Sequence, residues 1–132
     1  MTACGLFDDR TEPAPDPLAP LIAEALHLAA QHEAAIASYP ELADRLGPIA
    51  QAHRAHAAEL AKVTRVTLPS NTPTASASPA TGDLRATLAA LRTAEQQGQD
   101  SARQACVQAP EGRAALVGSI AAARATHVEV VR

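Results

Sequence analysis

Four stretches of this chain carry apolar residues spaced alternately three and four positions apart, each bounded by residues that end helices. That spacing marks an α-helix with one buried face, and four such faces in one short chain call for a helical bundle. The first helix is expected to start near Asp16-Pro17, a capping residue followed by Pro in the first turn, and to run to about Ser38. Tyr39-Pro40 interrupts it, Pro40–Leu46 reads as a short helix, and Gly47-Pro48 reads as a second break. The second long helix is expected from Pro48 to about Val66, the third from Asp83 to about Gln108, and the fourth from about Arg113 to the end. Ala109-Pro110-Glu111-Gly112 reads as a tight turn, and Pro69–Gly82, rich in Ser, Thr, Pro and Ala, as a flexible connection.

Composition supports helices over strands. Alanine, the best helix former, supplies 33 of the 132 residues, and there is one Phe, one Tyr and no Trp. The net charge of −3 excludes a strongly basic nucleic-acid binder, and the scarcity of aromatics removes a stacking platform for single strands. No apolar run approaches the ~18–20 residues of a membrane-spanning helix. No catalytic Ser/His/Asp pattern, phosphate loop or dinucleotide fingerprint is present.

Loop lengths set the topology. Short connections make antiparallel neighbours, so the first two helices form one hairpin and the last two another. The fourteen residues of Pro69–Gly82 reach roughly 45 Å when extended. A helix of about 20 residues is ~30 Å long, so this connection can cross the bundle lengthwise and leave the second and third helices parallel.

The core-facing stripes are expected at Ile22, Leu26, Ala29, Glu33 and Ile36; at Leu46, Ile49, His53, His56, Leu60 and Val63; at Leu84, Leu88, Leu91, Glu95, Gly98 and Ala102; and at Leu116, Ile120, Ala123, His127 and Val130. Each stripe is apolar except near its middle, where it carries Glu or His. Glu95 and His127 are equidistant from the Pro110–Gly112 turn, which puts them at one height. Glu33 pairs more loosely with His53 or His56 across the Tyr39–Gly47 connection.

The segments Gln31–Tyr39, His53–His56 and Ser119–His127 resemble a ferritin-like domain of unknown function found in actinobacterial exported proteins and lipoproteins, over about Leu18 to Arg132. The resemblance implies an all-α, ferritin-like four-helix bundle. The wider superfamily carries single glutamates on its first and third helices and Glu-x-x-His on its second and fourth. By position, Glu33 and Glu95 match the single glutamates, and His56 and His127 match the histidines. His53 and Arg124 stand where the other two glutamates would be. A dinuclear iron centre needs about four carboxylates, and Arg124 would add a permanent positive charge, so that chemistry is not expected. Two readings stay open. Glu33, His53, His56, Glu95 and His127 offer ligands for a single Zn, Cu, Mn or Fe ion. Alternatively the layer is metal-free, with Arg124 paired to Glu95 or Glu33.

Other polar residues read as less informative. Glu24 and His27 spell Glu-x-x-His but lie off the stripe and are expected in solvent, as is His32. Glu59 either supports His56 or faces water, and Cys106 reads as a small buried hydrophobe. Thr2-Ala3-Cys4-Gly5 resembles the lipobox of bacterial lipoproteins, which implies a lipid on Cys4, with a signal segment preceding it in the natural precursor. Residues 1–16 then form the lipidated N-terminus and tether, and residues 17–132 the bundle, with 67–82 as its crossover. The expected function is a non-catalytic module held at the outer face of the cell membrane, acting through a protein partner or as a homodimer. The alternative is a metal-binding or redox protein.

Overall fold

The computed structural model describes residues 14–68 and 82–132, and among them every regular element is helical. Helix α1 spans Ala19–Ser38, α2 Ala43–Thr64, α3 Leu84–Gln108 and α4 Ala114–Val130, with one 3₁₀ turn at Pro40–Leu42 between the first two. The chain is therefore a four-helix bundle. No described helix is long and apolar enough to cross a membrane. Cys4 and most of the expected crossover lie outside the described residues.

Local chemistry accounts for the ends. The Asp16 carboxylate accepts the Leu18 backbone N–H at 2.9 Å just ahead of α1, and the Asp83 carboxylate caps α3 by accepting from Ala86 N at 2.7 Å. The turn between α3 and α4 closes through Arg113 N to Pro110 O, with Gly112 at a φ of +82° that a side chain would make costly. One expected break is absent: α2 runs straight through Pro48. The reason is position. Pro48 lies in the second turn of α2, and the bond it gives up would reach only the exposed Asp44 carbonyl.

The contacts fix the directions. Glu24 meets Ser101, and the Cβ position of Gly98 lies against Leu28, so α1 and α3 run antiparallel. Glu33 meets Arg54 between α1 and α2, and Cys106 meets the Ala114 carbonyl between α3 and α4. Arg45 donates to the Val130 carbonyl, and His53 lies against His127, so α2 and α4 are antiparallel as well. Every adjacent pair is antiparallel, and α2 and α3 are parallel across the diagonal. Thr64 and Leu84 consequently lie at opposite ends of the bundle.

The core has an apolar cluster at each end. One gathers Leu21, Ile22, Ala57, Leu60, Val117 and Ile120 near the start of α1, and the other Ala35, Leu42, Leu46, Ile49, Leu91 and Val131 near its finish. Between them lies a polar belt. On α1 the buried line is Leu21, Ala25, Leu28, His32 and Ala35, with Ile22 and Ala29 of the expected stripe buried beside it, whereas Leu26, Glu33 and Ile36 are only partly buried. Val63, Leu84, Leu88, Leu116, Ala123 and Val130, also expected in the core, are partly or largely exposed, whereas the other apolar stripe residues of α2, α3 and α4 are buried.

Candidate metal centre

The belt has two floors, each built from all four helices. The first holds His32 of α1, His53 of α2, Glu95 of α3 and His127 of α4. His32, His53 and Glu95 are wholly buried and His127 is 8% exposed. The second lies one turn away, with His56 on α2, Gly98 on α3 and Arg124 on α4, and with Glu24 reaching in from α1. Steps of three residues on α2, α3 and α4 connect the floors, as helical periodicity requires.

Glu95 is the centre of the first floor. His53 Nε2 lies 2.6 Å from Glu95 Oε1, His32 Nε2 lies 3.5 Å from the same oxygen, and His127 Nδ1 lies 3.6 Å from Oε2. Among the described residues no lysine or arginine pairs with it. Burial by itself would raise the Glu95 pKa, but the surrounding imidazoles of His127, His53 and His32 outweigh that and hold it at about 2. The carboxylate is therefore ionised at any physiological pH, and its charge has no permanent cation beside it. The His32 pKa is lowered as well, but here burial is the main cause and the neutral imidazole is the favoured form. Burial and the charges of the neighbouring histidines lower His56 to about 4.

The tautomer of His32 decides what this arrangement can hold. His32 Nδ1 lies 3.0 Å from the Leu28 carbonyl, which can only accept, so Nδ1 carries the proton. In neutral His32, Nε2 is then a bare lone pair. It is buried, has no hydrogen-bond partner, and points toward a carboxylate oxygen. Two electron-rich atoms facing each other at 3.5 Å repel unless a cation lies between them. A backbone carbonyl gripping the far nitrogen is also how proteins orient a metal-binding imidazole. The nitrogen atoms of His32 and His53 and a carboxylate oxygen of Glu95 all lie within 4.8 Å of one another. This group could hold a metal ion. Of ten buried side-chain atoms without a partner among the described residues, seven belong to the belt: His32 Nε2, His53 Nδ1, His56 Nδ1, Glu95 Oε2, His127 Nδ1 and two nitrogens of Arg124.

Four sequence expectations change. Glu33 is not in the core: it is 37% exposed and forms a paired hydrogen bond with Arg54 on the surface, both contacts at 2.7 Å. His32 takes the inward position instead. Arg124 is fully buried as expected but does not pair with Glu95 or Glu33. Its Nη1 donates to Glu24 and to the Gly98 carbonyl, the latter at 2.7 Å. Glu24 reaches the core because its side chain is long enough to cross from the edge of α1 to α3 and α4, where its carboxylate meets Ser101 and Arg124. His53, Glu95 and His127 meet as the stripes required, and His56 stands near them, its ring 6.1 Å from His53 and 6.5 Å from His127. His27 is on the surface against Gln31, Glu59 pairs with Lys62 in solvent, and Cys106 is a half-buried free thiol.

Compared with protein-family models, curated proteins and solved structures, the chain gives no match.

Proposed function

We propose that this chain is a small ferritin-like bundle that binds a single transition-metal ion through His32, His53 and Glu95, with His127 as the nearest further ligand. The buried lone pair of His32, aimed at an ionised carboxylate that pairs with no lysine or arginine among the described residues, carries the reading. Two imidazoles and a carboxylate suit Zn, Cu, Mn or Fe, and three protein ligands leave a position for water or substrate, so the ion supplies Lewis-acid or redox capacity. The protein's part is to fix the ligands on four helices, hold the His32 tautomer through Leu28, and keep the floor dry. The antiparallel neighbours and parallel α2 and α3 favour the ferritin-like topology, and the single carboxylate among the three imidazoles of the first floor disfavours a di-iron oxidase.

The location follows the lipobox resemblance: a lipid on Cys4, with the stretch to residue 16 as tether, would hold the bundle at the outer face of the membrane. Fractionating cells that express the full upstream reading frame tests this, and a soluble product unaffected by Cys4→Ala would end it. The metal reading is tested by thermal melts with and without Zn, Cu, Mn or Fe. At metal concentrations of roughly 100 times Kd, binding adds about 2.7 kcal/mol of stability. The expected result is a rise in Tm for the wild type and none for His32→Ala or His53→Ala. A wild type indifferent to all four metals would favour a metal-free polar layer in a non-catalytic module.

A further inference from the structure

The belt holds more ligand atoms than one ion needs. After His32, His53 and Glu95 Oε1, three buried and unpartnered atoms are left: Glu95 Oε2, His127 Nδ1 and His56 Nδ1. A carboxylate oxygen and two imidazole nitrogens are themselves a common ligand set, and a carboxylate can bridge two ions. What separates this cluster from a two-ion centre is Arg124.

We infer that Arg124 limits the centre to one metal ion, its guanidinium acting as a fixed cation where a second ion's charge would have to be accommodated. This rests on the metal reading above. Three observations support it. Arg124 is wholly buried, and its charge cannot be removed by deprotonation. It is held on two sides, by the Glu24 carboxylate and the Gly98 carbonyl. Gly98 makes the space: a Cβ there would stand 3.2 Å from Arg124 Nη1 and 3.0 Å from Leu28 Cδ1, so a larger residue would crowd the guanidinium. Arg124 is also one helical turn from His127 and among the charges acting on His56, so it borders both spare imidazoles.

The charges make the same point. With one divalent ion, the two carboxylates Glu95 and Glu24 and the guanidinium of Arg124 leave one net positive charge in the belt. A second divalent ion would raise that to three in a largely buried region, where like charges repel strongly. In Arg124→Glu, two divalent ions restore the single positive charge of the wild type. Glu24 has the complementary role. It neutralises Arg124, so removing its charge exposes the first ion to the full guanidinium.

The experiment is metal counting on purified protein reconstituted with excess Zn²⁺ and desalted, with circular dichroism on the same samples. The wild type is expected to keep about one zinc per chain, and Arg124→Glu and Arg124→Gln about two. Glu24→Gln, altered at a residue that is 30% exposed, is expected to keep its fold and bind the first zinc about tenfold more weakly. A folded Arg124 variant that still holds one zinc overturns the inference and leaves the metal reading intact. Unchanged zinc affinity in Glu24→Gln overturns it as well, even if the Arg124 variants do not fold. A wild type that keeps no zinc and does not respond to the other three metals contradicts the metal reading itself.

Discussion

The two ends of the bundle and its middle obey different rules. At the ends, Leu, Ile, Val and Ala from three or four helices close into dry clusters, and nearly every member is there for packing. In the middle, an Arg, a Glu and two His are wholly buried, and most of the partnerless polar atoms are concentrated there. Burying such groups costs free energy unless each is paired, and well-packed apolar residues would do as well or better. The ends therefore account for why the chain folds. The middle works against stability unless its unpaired groups find a partner.

Substitutions should separate the two regions. Leu60→Ala or Ile120→Ala, each removing a fully buried side chain from an end cluster, should destabilise by about 2–5 kcal/mol in denaturant unfolding. The loss should be the same whether or not metal is added. Glu24→Ala leaves the Arg124 guanidinium buried without its carboxylate and should lose roughly 1–3 kcal/mol, less than a closed ion pair would because Glu24 is partly exposed. A neutral Glu24→Ala would mean that water reaches the Arg124 guanidinium and solvates it in place of the carboxylate.

The middle should also be acid-sensitive in a way the ends are not. In metal-free protein, His56 titrates near 4 when folded against an ordinary 6.5. The unfolded chain then binds more protons between those values, so stability falls as pH drops through that window. The lowered His32 pKa acts in the same direction. Glu95, held at about 2 against an ordinary 4.5, contributes stability that is fully present above 4.5 and lost as pH falls toward 2. Urea unfolding from pH 7 to 3 should show this decline, and His56→Gln should flatten its upper part. Leu60→Ala should shift the whole curve without changing its shape. An unchanged slope in His56→Gln would place the sensitivity elsewhere. The smallest effect is expected at the surface: Glu33→Ala should cost about 0.2–1 kcal/mol and leave metal response intact, since its pair with Arg54 is solvated.

The same contrast explains what the sequence made legible. His53, Glu95 and His127 stood out because each interrupts a stripe of larger apolar residues, and a polar group on such a stripe is either satisfied or functional. The phase of α1 was ambiguous because alanine fills Ala25, Ala29, Ala30, Ala34 and Ala35, so a stripe can be drawn through Glu33 or through His32. The stripe through Glu33 carries Ile22, Leu26 and Ile36 against Leu21 and Leu28 on the line through His32, so apolar bulk pointed to the wrong face. The Glu24–Arg124 pair was hidden by side-chain length: Glu24 lies off the stripe by Cα position but reaches the core. Gly98 in mid-helix, where glycine costs about 1 kcal/mol, marked close packing without naming Arg124 as the neighbour. The N-terminal half of α2 was misread because a proline in the second turn can be tolerated when the lost bond faces solvent.

The most direct test of a metal centre in the middle of this bundle is a crystal structure of protein grown with zinc, with diffraction recorded on both sides of the zinc absorption edge. One anomalous peak is predicted among His32 Nε2, His53 Nε2 and Glu95, at about 2.0–2.2 Å from each ligand atom. An empty belt in which His53 still hydrogen-bonds Glu95 and zinc appears only on the surface would contradict the account.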